Sequence, residues 1–327
     1  MMHSILRTAC MLAVTAAVGL GGGLARADDY PVRPVRMLVP APAGGGTDVL
    51  ARILAEGLTR ELGQPIIIDN RGGASGMIAA DIVLQSPPDG YTLFMVYSGV
   101  LTANQAIFPK ISYDPIRDFT PIANFADVPN LLIVHPDFPV KSVADLIALA
   151  KAKPNGVMYA SSGNGVSNHL AMALFEQMAG ISMVHVPYKG GAPAMMNLMG
   201  GQIQLMFNNM VEVIPQIKNG RVRAIAIATA DRSPLMPDLP TVSESGLPGY
   251  SISLWYGVVG PRGMQPDVIV KLNEAIRRVQ ANPETREKLA KLGATPVSQT
   301  QGDFAMMIRN EVRKWSDVVK KANIRPD

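Results

Sequence analysis

Short β-rich runs alternate with helical periodicities along most of this chain, and that order limits the fold more than any other feature. Val35–Val39 reads as a buried strand, and residues 47–62 as a helix with Leu50, Ile53, Leu54 and Leu58 on one face. Ile66, Ile67 and Ile68 form the next strand. Residues 76–85 read as a helix with Ile78, Ile82 and Val83 or Leu84 inward. After the turn at Pro87-Pro88-Asp89-Gly90, residues 92–96 make a third strand. Strands joined through helices pair in parallel, so this series implies a sheet covered by helices on both faces.

A second series starts near Asn130. Residues 131–134, 157–160, 183–186, 204–207 and 223–229 read as strands, and 142–151, 166–179, 192–199 and 213–219 as helices. Ser142 caps the first of these, with Asp145 three residues on as an imperfect capping box. Longer helices follow at 266–280, 283–292 and 302–322. The last carries Phe304, Ile308, Val312, Trp315 and Val319 as a core-facing stripe. The fold class is therefore α/β, in two domains with mostly parallel sheets. If the tail packs back on the first unit, the chain crosses between domains near Phe125 and near Thr229. Domain I would then be residues 28–125 with 229–327, and domain II residues 126–228, with a closable cleft between them.

The first residues read as an address. Arg7 precedes a charge-free apolar run over residues 8–24, and Ala25-Arg26-Ala27 places small residues where a signal peptidase cuts. The run sits at the lower limit for a membrane span and contains Gly19, Gly21, Gly22 and Gly23, which favours a cleaved signal over residues 1–27. The mature chain would be periplasmic and soluble. The single cysteine, Cys10, would leave with the signal, which excludes disulfides, thiol nucleophiles and Cys-ligated metal. The formal charge of +4 loses two positive groups with Arg7 and Arg26. The remaining Lys and Arg are scattered, so nucleic-acid binding has no support.

Two strand-to-helix turns share one chemistry. One is Pro40-Ala41-Pro42-Ala43-Gly44-Gly45-Gly46-Thr47-Asp48. The other is Ala160-Ser161-Ser162-Gly163-Asn164-Gly165-Val166-Ser167-Asn168-His169. Each exposes backbone N–H groups at a helix N-terminus, where the dipole favours an anion and glycine permits close approach. One lies in each half, so two facing turns could grip one carboxylate, with Ser161, Ser162 and Ser167 adding hydroxyls. Neither turn fits a phosphate-binding Gly-Lys-Ser/Thr or a dinucleotide motif, and no cofactor or metal is expected. Asp48 suits the first helical turn at least as well as a ligand. His169 is more simply a buried histidine than a ligand contact. Asn130, Tyr188, Asn208 and Asn209 are candidate polar groups of the cleft.

Blocks along the whole chain carry a family resemblance. They include Tyr30-Pro31 with Pro34-Val35-Arg36, Ala43-Gly44-Gly45-Gly46-Thr47-Asp48, Asn70-Arg71, Pro88-Asp89-Gly90-Tyr91-Thr92-Leu93 and Tyr113-Asp114-Pro115. Gly163-Asn164-Gly165, His185-Val186-Pro187-Tyr188-Lys189-Gly190-Gly191 and Leu239-Pro240-Thr241-Val242 follow in order. Through them nearly all of residues 28–327 resembles the Bug family, the extracytoplasmic solute receptors of tripartite tricarboxylate transporters. The resemblance implies two lobes with Venus-flytrap closure on a small organic carboxylate, uptake without catalysis, and delivery to membrane subunits by a monomer. It places Ala43, Gly44, Gly45, Thr47 and Asp48 on one wall of the site, and Ser162, Gly163, Gly165, Ser167 and His169 on the other. Tyr97 and Ser98 match a segment that reaches the cleft. Asn208 departs from the family, which often has Asp there. That loss of an acid, with the bulk of Tyr97, points to a carboxylate without an amino group, aromatic acids included.

Two other functions compete with transport. A sensor component would present the same pocket to a membrane signalling protein. A secreted hydrolase would have only Ser161, Ser162, His135, His169 and His185 to work with, and neither a Gly-x-Ser-x-Gly elbow nor a His-Glu-x-x-His motif occurs.

Overall fold

The computed structural model describes residues 30–321, and the expected signal, residues 1–27, lies outside them. The chain opens with β1 (Val35–Val39), α1 (Gly46–Leu62), β2 (Ile66–Asn70), α2 (Met77–Leu84), β3 (Thr92–Tyr97), α3 (Ser98–Thr102) and α4 (Asn104–Ile107). A long strand, β4 (Phe119–Val134), leads to α5 (Val143–Ala152), β5 (Met158–Ser161), α6 (Ser167–Ala179) and β6 (Val184–Pro187). Then come α7 (Gly191–Met199), β7 (Leu205–Asn209), α8 (Met210–Lys218) and β8 (Arg223–Ile227). The last third is β9 (Ser253–Pro261), α9 (Pro266–Ala281), α10 (Pro283–Lys291), β10 (Thr295–Pro296) and α11 (Gln301–Lys321).

Among the described residues one mixed sheet of ten strands links two lobes, with the main order β2-β1-β3-β9-β4-β7-β5-β6. Strands β2, β1 and β3 are parallel, as are β6, β5 and β7. The parallel pattern expected from the element order stops at the centre. There β9 runs antiparallel to β3 and β4, and β4 runs antiparallel to β7 and β8.

β4 belongs to both lobes. It pairs with β9 from Phe119 to Pro129, then with β7 from Asn130 and with β8 from Leu131. On both sides of Phe125, at Asn124 and Ala126, it is still paired with β9. After β8 the chain stays against the second lobe, where Tyr250 donates to the Ala171 carbonyl at 2.8 Å and Val242, Leu247 and Ile252 join the core. β9 then returns to the first. The β4–β9 register shifts between Pro121 and Ala123 and between Asn124 and Ala126. Such bulges are where a strand tolerates a proline, which has no N–H to give. Helix α9 satisfies carbonyls in this stretch. Asn273 Nδ2 donates to Ile122 O at 2.7 Å, and Gln280 Nε2 to Asn124 O at 2.9 Å and Phe125 O at 2.8 Å.

Helices cover both faces of the sheet. One core, with Leu54, Leu272, Met206 and Met210, runs from under α1 and α9 into the second lobe. A second surrounds Phe94 and Trp255 in the first lobe, and a third Phe175 and Phe207 in the second. Ile78 faces solvent, 47% exposed, because α2 turns its Ala79, Ala80 and Val83 face inward. Helix α11 spans the lobes: Phe304 and Ile308 enter the core around Trp255, and Trp315, Val318 and Val319 the core around Phe175. Among the described residues no helix is long and apolar enough to cross a membrane.

Phe304 is fully buried, with its ring edge-on to Trp255 at 5.4 Å. Phe304→Ala leaves a cavity and should lower unfolding stability by about 3–5 kcal/mol, read from denaturant melts.

Candidate functional site

The first glycine turn joins β1 to α1 and is held by its own side chains. Asp48, buried in the first helical turn, accepts from the Gly44 amide at 2.8 Å, Arg52 Nε at 2.9 Å and Asn70 Nδ2 at 3.0 Å. Burial alone would raise its carboxyl; the hydrogen bonds from Arg52, Gly44 and Asn70 outweigh it and hold the group below the usual carboxylate range. Asp48 is thus a staple of the loop. The Gly45 amide donates to Pro42 O at 3.3 Å. The Gly46 amide donates across the cleft to Glu212 Oε1 at 3.1 Å. Ala43 and Gly44 are exposed at the crest, while Thr47 is buried and meets the Tyr256 hydroxyl.

The second turn, from β5 to α6, follows the same logic. The Ser162 amide donates to Asn168 Oδ1 at 3.1 Å, and Ser162 Oγ accepts from Asn168 Nδ2 at 2.8 Å. Gly163, at φ 140°, donates to Ser161 Oγ at 3.2 Å. The Gly165 amide donates to His169 Nδ1 at 3.0 Å, which makes this nitrogen the acceptor and fixes the tautomer. His169 stacks on His185 with ring centroids 3.9 Å apart. Burial, then the neighbouring His185, pushes the His169 imidazole down to about 3. Ser161 Oγ lies 2.6 Å from His185 Nε2, yet it is fully buried under its own loop and also donates to Gly163 O at 2.9 Å. The hydroxyl is closed off from solvent in this structure. Ser167 begins α6 and is half-buried.

Two further strand-to-helix turns meet these. A Cβ on Gly191, at the start of α7, would lie 2.6 Å from Glu212 Oε2 and 3.4 Å from Ser162 Oγ. A Cβ on Gly163 would lie 3.5 Å from the Tyr188 carbonyl. At the end of β7, Asn209 caps α8, its Oδ1 accepting from the Glu212 amide at 3.1 Å. Asn208 Nδ2 donates to Glu212 Oε2 at 3.0 Å. The lobes touch here, since a Cβ on Gly46 would lie 3.0 Å from Asn209 Oδ1. Four helix N-termini, one from the first lobe and three from the second, therefore converge at the carboxyl ends of strands, the usual ligand position in such sheets.

The other candidates lie behind this focus. Asn130 pairs with Asn209 where β4 changes lobes; it is buried, and its Nδ2 has no hydrogen-bond partner among the described residues. Tyr97 pairs with Tyr256 on β9 and packs between cores, and a Cβ on Gly76 would lie 3.6 Å from its hydroxyl. Ser98 is buried, and its carbonyl accepts from Thr102 Oγ1. Among the described residues no cluster of three His, Cys, Asp or Glu side chains is placed to hold a metal.

A family model described as "Tripartite tricarboxylate transporter family receptor" matches residues 50–324. The chain belongs to this receptor family. It is 38% identical over 300 residues to Protein BugT of Bordetella pertussis, covering 91% of this chain and 92% of that protein. Its structure matches that of Rpa4515 of R. palustris with adipate, with TM-score 0.88, 38% identity, and coverage of 91% and 100%. MatC (Rpa3494) from Rhodopseudomonas palustris with bound malate matches at TM-score 0.82 and 35% identity, over 89% of this chain and 100% of that one. The two-lobed α/β arrangement is thus that of the family's periplasmic binding proteins.

Two expectations change. The glycine turns were read as offering open amides, but those of Gly44, Gly45, Gly46, Ser162, Gly163 and Gly165 all have protein partners. Asn208 was read as the loss of an acid, but Glu212, one helical turn on, returns a carboxylate to its side. The argument for a ligand lacking an amine loses its ground. Glu212, Gly191 and Tyr256 were missed by sequence reasoning. The available signal was Glu212 three residues after Asn209, the spacing of a capped helix start.

His169 gives a pH test. Its folded imidazole resists protonation down to about 3, well below the ordinary 6.5. Below about pH 6.5 the unfolded state alone takes up this proton, so the stability is whole above that pH and falls with acid. The melting temperature should drop from about pH 6.5 to 5, and His169→Gln, which keeps an acceptor for Gly165, should flatten the drop.

Proposed function

We propose that this receptor captures a small organic carboxylate between its lobes, outside the cytoplasmic membrane, and delivers it to the membrane subunits of a tripartite tricarboxylate transporter. The convergence of four helix N-termini on one point carries this reading: they put positive dipole ends where an anion would sit, in a cleft that closes away from screening water. Relatives solved with adipate and with malate support the same ligand class. Residues 1–27 act as the cleaved export signal. The lobes swing about the two crossings, at Pro129 and Asn130 in β4 and just before β9. The protein binds and releases its ligand unchanged, and the burial of Ser161 supports the absence of hydrolytic chemistry.

The donors for the ligand are the hydroxyls of Thr47, Ser162 and Ser167, the Asn130 amide, and backbone N–H groups that exchange partners on closure. Each bond from a neutral donor to a carboxylate contributes about 1.5–3 kcal/mol.

Calorimetric titration with adipate, malate and matched monocarboxylates tests the reading; heat with none of them would overturn it. Gly45→Asp probes the geometry. Gly45 has φ −75°, and the nearest atom to an added Cβ is Pro42 O at 3.4 Å, so the variant should fold. Its fixed anion should weaken binding of the same acids at least about tenfold, or 1.4 kcal/mol. Ser167→Ala should cost less, about 1 kcal/mol, as one hydroxyl is lost. Full affinity in a folded Gly45→Asp protein would sink the clamp.

A further inference from the structure

The Glu212 carboxylate stands where a ligand carboxylate would. One oxygen accepts from the Gly46 amide of the first lobe, and the other from Asn208 Nδ2 of the second. The oxygen on Asn208 lies against the start of α7, so close that any side chain at Gly191 would strike it. The side chain comes from the first turn of α8 and is half-buried, so on release it can turn to water. The charge is felt nearby: after burial, Glu212 is the largest cause raising the Tyr256 phenol.

We infer that Glu212 is an intramolecular competitor: it holds the lobes together through the Gly46 and Asn208 donors, and a ligand carboxylate binds by displacing it and taking both bonds. The inference rests on the carboxylate reading above and adds to it. Asn208 and the Gly46 amide become ligand donors, and Glu212 becomes a specificity residue. A carboxylate replaces both charge-assisted bonds at once, one oxygen to each donor; a cationic group gives the two donors no acceptor, and a neutral carbonyl or hydroxyl replaces them only with weaker, uncharged bonds. Two carboxylates cannot share the position either, because like charges at this range repel.

The test compares wild type, Glu212→Gln and Glu212→Ala, each checked for native circular dichroism. Titration with adipate and with malate should show Glu212→Ala binding at least tenfold more tightly than wild type, and Glu212→Gln in between. X-ray scattering of the ligand-free proteins should show a larger radius of gyration for Glu212→Ala. Equal or weaker binding by both variants, where wild type binds, overturns the inference. If none of the three binds either acid, the carboxylate reading fails, and scattering alone then decides on Glu212. A Glu212→Ala profile that superposes on wild type refutes its role as a latch.

Discussion

β4 must satisfy its backbone in both lobes of the sheet at once. Its first part gives its hydrogen bonds to β9, and its last five residues pair with β7 on one edge and mostly with β8 on the other. A buried strand leaves no N–H or C=O unpaired without cost, so the place where it changes partners fixes where the lobes join. The bulges in its first part would leave carbonyls adrift, and Asn273 and Gln280 of α9 reach in to accept that task as donors. With β4 set, the parallel strands on each side follow, and their carboxyl ends deliver the turns to one point.

That point has a consistent electrostatic design. The dipoles of α1, α6, α7 and α8 all begin there. Yet the glycine turns do not leave their amides open; Asp48, Ser161, Asn168 and His169 hold them. This stiffens the loops before a ligand arrives, so less ordering is required on binding. The carboxylate of Glu212 is a charged group that crosses from lobe to lobe to do so, which makes it the natural point of exchange.

The periodic elements were legible because local pattern and burial agree in them. Leu50, Leu54 and Leu58 are fully buried along α1, and Ser142 caps α5 through the Asp145 amide as its spacing implied. Strand β4 is legible in the sequence only at residues 131–134; Pro121 and Pro129 interrupt any strand pattern before that, and pairing with the distant β9, with α9 side chains on the carbonyls of its bulges, makes it a strand. β9 escaped for a similar reason, since it begins after a long loop held to the second lobe by Tyr250. The glycine turns could be located but not their hydrogen bonds. No sequence pattern tells that the amide of Gly46 meets a side chain that lies 166 positions away.

The place of β9 in the order of strands has a kinetic consequence. It lies between β3 and β4, so the first lobe has a gap in its sheet until residues 253–261 exist. The second lobe's strands are nearly consecutive and can assemble earlier. Bringing β9 to β3 closes a very long loop, and contacts of such sequence separation form slowly. The half-made first lobe therefore stays open late in synthesis. A lobe whose earliest strands wait for some of its last is the part of the sheet that closes last.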